Sequence, residues 1–488
     1  MYVMYIMYVY VYVYVYVYVY AYVYVYVCEC VCMYVCMYTS CMCMCMCMRV
    51  NVYVCMYTSC MCMCMRVNVY VCMYVYAYRP TYMHTCALEN CLVYHIWKMS
   101  KASSSHDYTC RYIALGNEPF LTNYGTQYAT YTYQALYNMH QSLVKVGLQN
   151  MVKLTIPCNA DVIWSTAPSK AEFRPDMIDT MKQIVSFLDQ INSPFVVNIY
   201  PFLDLMQQAD FPEDYAFFNG SLHPVLDGSI TYTNAFDASV DMTIVALSSI
   251  GFTSMEVIIG EIGWPSDGGI HANLSNAKRF NQGLINHLAS KKGTPLRPGV
   301  IVNVYLFSLL DENQKSVLPG NFERHWGVFT FDGQGKYTLD LTGQSLVSGQ
   351  GRGSRSDLVN AEGVPYLPIR WCVANPKTNA SHLLLNAQFA CASADCTALV
   401  DGGSCSSIGA PANASYAFNS YYQLNNQDAS SCFFDGLGVV TFVDPSIGDC
   451  RYLVGVFSAS NKAASLISLS LLALLNLILH FSSMIECF

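Results

Sequence analysis

A chain of 488 residues with a formal net charge of -8 is long enough for two or three domains and too acidic for a nucleic-acid-binding surface. Its composition is uneven: residues 1–78 are almost entirely Tyr, Val, Met and Cys, residues 79–108 are a transition with no readable structure, and the remainder is ordinary globular sequence. Of the 24 cysteines, 15 fall in Cys28–Cys91 and six more crowd into Cys372–Cys450, where they suggest an oxidising compartment and a disulfide framework.

The chain opens MYVMYIMYVYVYVYVYVYVY, and VCMYTSCMCMCMCMRVNVY from Val35 recurs, shortened, from Val54. No unit of this repeat has one apolar and one polar face, so it matches no solenoid. TATG read in one frame gives Tyr-Val-Cys-Met and TGTATG gives Cys-Met, so residues 1–108 read as translated simple-sequence DNA rather than a folded domain. Cys-x-Cys runs without His or acids do not match zinc spacing, and alternating Val-Tyr prefers strand over membrane helix. The start has no basic n-region, Leu-rich core or small-residue cleavage site, so no signal peptide is visible. The tract is expected to be β-prone and is assigned no function.

Residues 109–341 alternate short apolar runs with amphipathic stretches. Strands are expected at Arg111–Leu115, Val152–Ile156, Phe195–Ile199, Glu256–Gly260 and Val300–Phe307, and helices at Thr126–Val146, Arg174–Gln190, Ser239–Ile250 and Ser275–Ser290. Such alternation predicts a parallel sheet covered by helices, with functional groups at the strands' carboxyl ends. Two of these strands end in an acid. Val257-Ile258-Ile259 stops at Gly260 and is followed by Glu261, and Tyr112-Ile113-Ala114-Leu115 is followed by Gly116-Asn117-Glu118. A buried strand offers no cheap place for a charge, so each acid serves chemistry or an ion pair. Two carboxylates about 5–5.5 Å apart in one cleft are what a retaining glycosidase needs; two unrelated surface acids are the alternative.

The stretches ALGNEPF and IIGEIGWPSDGG resemble the two signatures of plant glucan endo-1,3-β-glucosidases, glycoside hydrolase family 17. LTIPCNADVIW, PFVVNIYPF, TYTNAFDASVD and YLFSLLDENQKSVLPGNFERHWGVF match as well, from about Tyr112 to Leu341. The resemblance implies a (β/α)8 TIM barrel, with Glu118 as acid/base and Glu261 as nucleophile. It implies that Asn117 binds the sugar 2-hydroxyl and that Tyr200 steadies the nucleophile, a core tyrosine being the alternative. Trp264 is open between sugar platform and packing, Glu312 and Lys315 between cleft charges and a loop-holding ion pair, and His325 and Trp326 read as structural. Glu118 is expected to hold its proton near neutrality beside the negative Glu261. No metal or organic cofactor is required. A complete barrel would bring three further strands before Tyr112, and only about the last five are expected from this sequence.

Residues 342–368, including SGQGRGSRS, read as a Gly/Ser linker. The six cysteines of residues 369–453 permit fifteen connectivities. Trp371-Cys372, CASADCTAL, GGSC, Tyr416-Ala417-Phe418-Asn419 and SCFFDGLGVVTFVDPS resemble the six-cysteine carbohydrate-binding module of family 43. That resemblance implies binding of β-1,3-glucan and the pairs Cys372–Cys432, Cys391–Cys396 and Cys405–Cys450. Tyr421 and Phe433 are open between sugar stacking and packing. Asn219, Asn273, Asn379 and Asn413 each start an N-x-Ser/Thr sequon. In residues 454–488, the apolar run Leu466–Phe481 after Ser458-Ala459-Ser460 resembles a signal for a C-terminal lipid (GPI) anchor; a short core or membrane helix is the alternative.

The sequence therefore points to a retaining endo-β-1,3-glucanase of the plant cell wall or plasma-membrane outer face, with β-1,3-glucan as its partner. The rival readings are a glucan-binding surface protein without turnover, and a faulty gene model.

Overall fold

The computed structural model describes residues 111–343, 358–377 and 382–457, and the backbone of three strands in the repeat tract, Val31–Met37, Ser40–Cys47 and Cys60–Cys64. Those three form one sheet, the first pair antiparallel and the second parallel. The described residues from 111 onward fall into two units. The first holds 111–264, 279–309 and 340–343, and the second holds 265–278, 310–339 and the residues from 358 onward.

The first unit is a parallel α/β assembly. Strand β1 (Tyr112–Ala114) pairs with β2 (Lys153–Thr155), and β3 (Pro157–Asn159) pairs with β4 (Phe195–Asn198). Strand β4 pairs in turn with β5 (Val257–Ile262), and β5 with β6 (Asn303–Leu306), all in parallel. β2 and β3 are one extended stretch interrupted at Ile156, just before Pro157, whose ring has no N–H to give a ladder. Leu115 N and Glu118 N still reach Thr155 O and Pro157 O, both at 2.9 Å, and carry the pairing past the break. These are five barrel positions, one for each expected strand, and the fold is of the TIM-barrel type. Every residue of β4 and β5 is buried, as expected in a barrel sheet whose outer face is covered by helices and whose inner face fills the barrel core.

Helices α1 (Ala129–Lys145), α2 (Ile178–Gln190), α3 (Pro201–Gln207), α4 (Ala235–Ser249) and α5 (Leu274–Ala289) separate the strands. Helix α2 buries Met181, Ile184, Val185 and Leu188, the i, i+3, i+4, i+7 stripe of a core-facing helix. It starts at Ile178, later than expected, because a residue before proline, here Arg174 before Pro175, is pushed out of helical conformation. Helix α4 starts four residues earlier than expected because Asn234 caps it. Asn234 Oδ1 accepts from Asp237 N, and Asn234 Nδ2 donates to Asp237 Oδ2, both at 2.8 Å.

One strand boundary needs correction. The run Val257-Ile258-Ile259 does not stop at Gly260; the strand bulges there and continues to Ile262. Glu261 is thus inside a strand, not beyond one.

In the second unit, β7 (Trp371–Ala374) pairs antiparallel with β8 (Gly438–Thr441), against helices α6 (Leu383–Cys391) and α7 (Ala410–Leu424). Disulfides join Cys372 to Cys432, Cys391 to Cys396, and Cys405 to Cys450. So small a core is filled by a stacked pair, Phe418 on Phe434, with centroids 3.9 Å apart. No described helix is long and apolar enough to cross a membrane. The apolar tail read as an anchor signal lies outside the described residues.

Candidate active site

The site is built on the carboxyl ends of β1, β4 and β5. Asn198 is the last residue of β4, and Tyr200, two residues further on, stands immediately before α3. Ile199 N donates to Glu261 O at 3.0 Å, keeping this end of β4 in register with β5, where Asn198 stands opposite Glu261. The Tyr200 hydroxyl donates to Glu261 Oε2 at 2.5 Å. Asn198 Nδ2 donates to Glu118 Oε1 at 3.0 Å and lies 3.5 Å from Asn117 Oδ1. The structure thus brings together four residues singled out from sequence, Asn117, Glu118, Tyr200 and Glu261.

Glu261 is 6% exposed and Glu118 half-buried, so both carboxylates sit in a medium that strengthens any charge near them. Glu118 has a φ of 46°, in the left-handed region that side chains other than glycine rarely occupy. Backbone held there is characteristic of functional sites, where surrounding structure offsets the strain. Gly263 makes a second close approach: a Cβ there would lie 1.8 Å from Phe307 O at the end of β6.

Three further groups were not singled out from the sequence. Asn198 is the first. Its signal was present, a single amide inside the apolar run FVVNIY two residues before Tyr200. The second is Cys158 on β3, the one free cysteine among the described residues. Burial pushes its thiol up, and the charge of Glu118 adds to the effect, which leaves it protonated and unreactive. The third is Asp204 on α3, whose carboxyl is pushed up to about 6 by burial.

Trp264 requires a correction. It is fully buried, stacked on Phe217 at 4.7 Å and flanked by Phe280 and Phe202, each at 5.2 Å. No face of the indole is left for a sugar; the residue packs the core beneath the site. Glu312 and Lys315 lie in the second unit. There the Lys315 ammonium pairs with Glu323 at 2.8 Å, and burial raises the Glu312 carboxyl against the opposing pull of Lys315. His325 bonds Thr397 Oγ1 at 2.6 Å, and Trp326 is buried.

Among the sequons, Asn219 and Asn273 are exposed, and Asn379 lies outside the described residues. Asn413 does not sit on a surface loop. It lies half-buried within α7, its amide nitrogen directed at Cys405 O (3.2 Å) and Gly409 O (3.1 Å). Tyr421 packs against Phe434, with centroids 5.7 Å apart, whereas Phe433 is 63% exposed. Among the described residues no group of three or more His, Cys, Asp or Glu could hold a metal ion.

A parallel α/β barrel sheet carrying a pair of hydrogen-bonded glutamates at its strand ends defines a hydrolase of the glycosidase class. Residues 80–341 match the model of glycosyl hydrolases family 17, and residues 370–439 match the X8 domain. The chain is 46% identical over 369 residues to glucan endo-1,3-beta-glucosidase 8 of Arabidopsis thaliana, covering 75% of each. It is 43% identical over 366 residues to glucan endo-1,3-beta-glucosidase 5 of the same plant, covering 74% of this chain and 73% of that one. Among solved structures it is 37% identical to CJP38, a beta-1,3-glucanase and allergen of Cryptomeria japonica pollen. That likeness has a TM-score of 0.45 and covers 48% of this chain and 72% of the other. The chain belongs to glycosyl hydrolases family 17 and carries an X8 domain.

Proposed function

We propose that the protein is a retaining endo-β-1,3-glucanase in which Glu261 is the nucleophile and Glu118 the acid/base. One observation carries the reading. Asn198, the last residue of β4, and Tyr200, two residues further on, each bond a different glutamate, which supports reading the two carboxylates as a working pair. Glu118 protonates the leaving glycosidic oxygen while the Glu261 carboxylate attacks the anomeric carbon and forms a glycosyl ester. Glu118, now ionised, takes a proton from water; the water oxygen attacks the same carbon, and Glu261 leaves as a carboxylate. The Tyr200 hydroxyl holds Glu261 in its attacking orientation, and Asn117 donates to the sugar 2-hydroxyl.

β-1,3-Glucan is the proposed substrate, as the names of the relatives support, and the six-cysteine module is proposed to bind the same polymer. Its three disulfides support a working environment outside the reducing cytosol. The test is release of reducing sugar from laminarin. The wild-type chain should hydrolyse it with retention of configuration, and Glu261→Gln should not. Capture on insoluble glucan without hydrolysis by the wild type would replace the enzyme with a binding protein.

A further inference from the structure

We propose that Asn198 is the positioning residue of the acid/base, holding the Glu118 carboxyl in the orientation that delivers its proton, and that Gly260 is glycine to make room for it. The inference rests on Glu118 being the acid/base.

Asn198 is 1% exposed, and its Nδ2 donates to Glu118 Oε1 at 3.0 Å. A protonated carboxyl has one oxygen that accepts and one that donates. An amide N–H on Oε1 makes that oxygen the acceptor, so the transferable proton resides on Oε2. After transfer, the same N–H stabilises the carboxylate. An aspartate at this position would have no donor and would repel Glu118; an aliphatic side chain would take away the bond to Oε1.

The amide is kept at a cost. Asn198 Oδ1 is buried with no hydrogen-bond partner among the described residues, and an orphaned buried acceptor is destabilising. Valine or isoleucine, like its neighbours in FVVNIY, would avoid that cost. The neighbouring strand is shaped around the amide as well. A Cβ on Gly260 would lie 2.7 Å from Asn198 Oδ1 and 2.7 Å from Val196 Cγ1, closer than real Cβ contacts come. Gly260 is also where β5 bulges, which places Glu261 opposite Asn198. One residue on β4 therefore sets the carboxyl of β1, and the glycine before the nucleophile admits it.

A proton donor matters for a poor leaving group and hardly for a good one. The experiment compares kcat/KM on laminarin with kcat/KM on a dinitrophenyl β-laminarioside, whose phenolate leaves without protonation. Asn198→Ala should lose about 10- to 100-fold on laminarin and less than about 3-fold on the activated glycoside. Gly260→Ala keeps the amide but crowds it; it should show the same split on a smaller scale, and it decides the matter if Asn198→Ala does not fold. Equal losses on both substrates, or none on either, would overturn the role of Asn198. Glu118→Ala is the control. If it too loses equally on both substrates, the acid/base assignment falls and this inference with it. If Glu118→Ala shows the split and the Asn198 and Gly260 variants do not, only the inference about Asn198 falls.

Discussion

The hydroxyl of Tyr200 donates to Oε2 of Glu261 at 2.5 Å, across the junction of two parallel strands. The ring is fixed edge-on against Phe307, with centroids 6.1 Å apart, and the backbone turns directly into Pro201 at the start of α3. A phenol so held is a preorganised donor: it needs no rearrangement to bond the carboxylate.

Tyr200→Phe removes that hydroxyl and little else. A hydrogen bond to a charged group is worth about 1.5–3 kcal/mol, so kcat/KM on laminarin should fall by about 10- to 100-fold. Thermal denaturation should stay near that of the wild type, because the ring still packs on Phe307. Unchanged hydrolysis would remove Tyr200 from the site.

Trp264 gives the opposite pattern. The indole is fully buried among Phe217, Phe280 and Phe202, and truncating a large buried aromatic costs about 3–5 kcal/mol. Trp264→Ala should shift the urea midpoint by that amount. Trp264→Phe, which keeps an aromatic ring in the pocket, should cost less and leave KM for laminarin unchanged. A large rise in KM with full stability would restore the sugar platform.

Both results bear on what a sequence can show. The strands were legible because β4 and β5 each open with an apolar run, Phe195–Val197 and Val257–Ile259, and Glu118 and Glu261 stood out as charges following such runs. Asn198 escaped because a lone amide in a strand reads equally as a packed core residue; only the distance to Glu118 separates the two. Trp264 was ambiguous because WPSD says nothing of what lies over the indole, and the three phenylalanines that cover it come from three separate segments. The boundary of β5 was misread for a related reason. Glycine usually ends a strand, and here the demand for space beside Asn198 keeps one inside it. Asn413 carries a sequon whether or not the helix around it engages its amide.

Asp204 supplies a pH dependence whose sign can be worked out. Burial raises its carboxyl from 3.8 to about 6. Between those values the folded chain holds a proton that the unfolded chain has released, so stability falls as pH rises through that window. The cost is absent below the lower value and fully present above the upper one. Asp204→Asn removes the titration. It should stabilise the protein by about 1–3 kcal/mol at about pH 7.5 and by much less at about pH 4.5, as chemical denaturation at the two pH values would read. A gain independent of pH would show that the carboxyl does not carry the effect.

In the second unit, Lys336 is buried and its ammonium is fully engaged. It bonds Asp311 Oδ1 at 2.6 Å, Ser266 Oγ at 2.5 Å and His325 O at 3.1 Å, while Gly327 N donates to the same aspartate oxygen at 3.0 Å. Removing one charge strands the other, which typically costs about 3–5 kcal/mol, whereas replacing both by apolar groups is often neutral or better. Lys336→Met should therefore destabilise strongly, and Lys336→Met combined with Asp311→Leu should recover most of the loss. Urea denaturation of the two single variants and the double variant forms a complete cycle. If the double variant loses the sum of the single effects, the two groups do not act as a pair, and the contacts to Ser266 and Gly327 hold these loops instead.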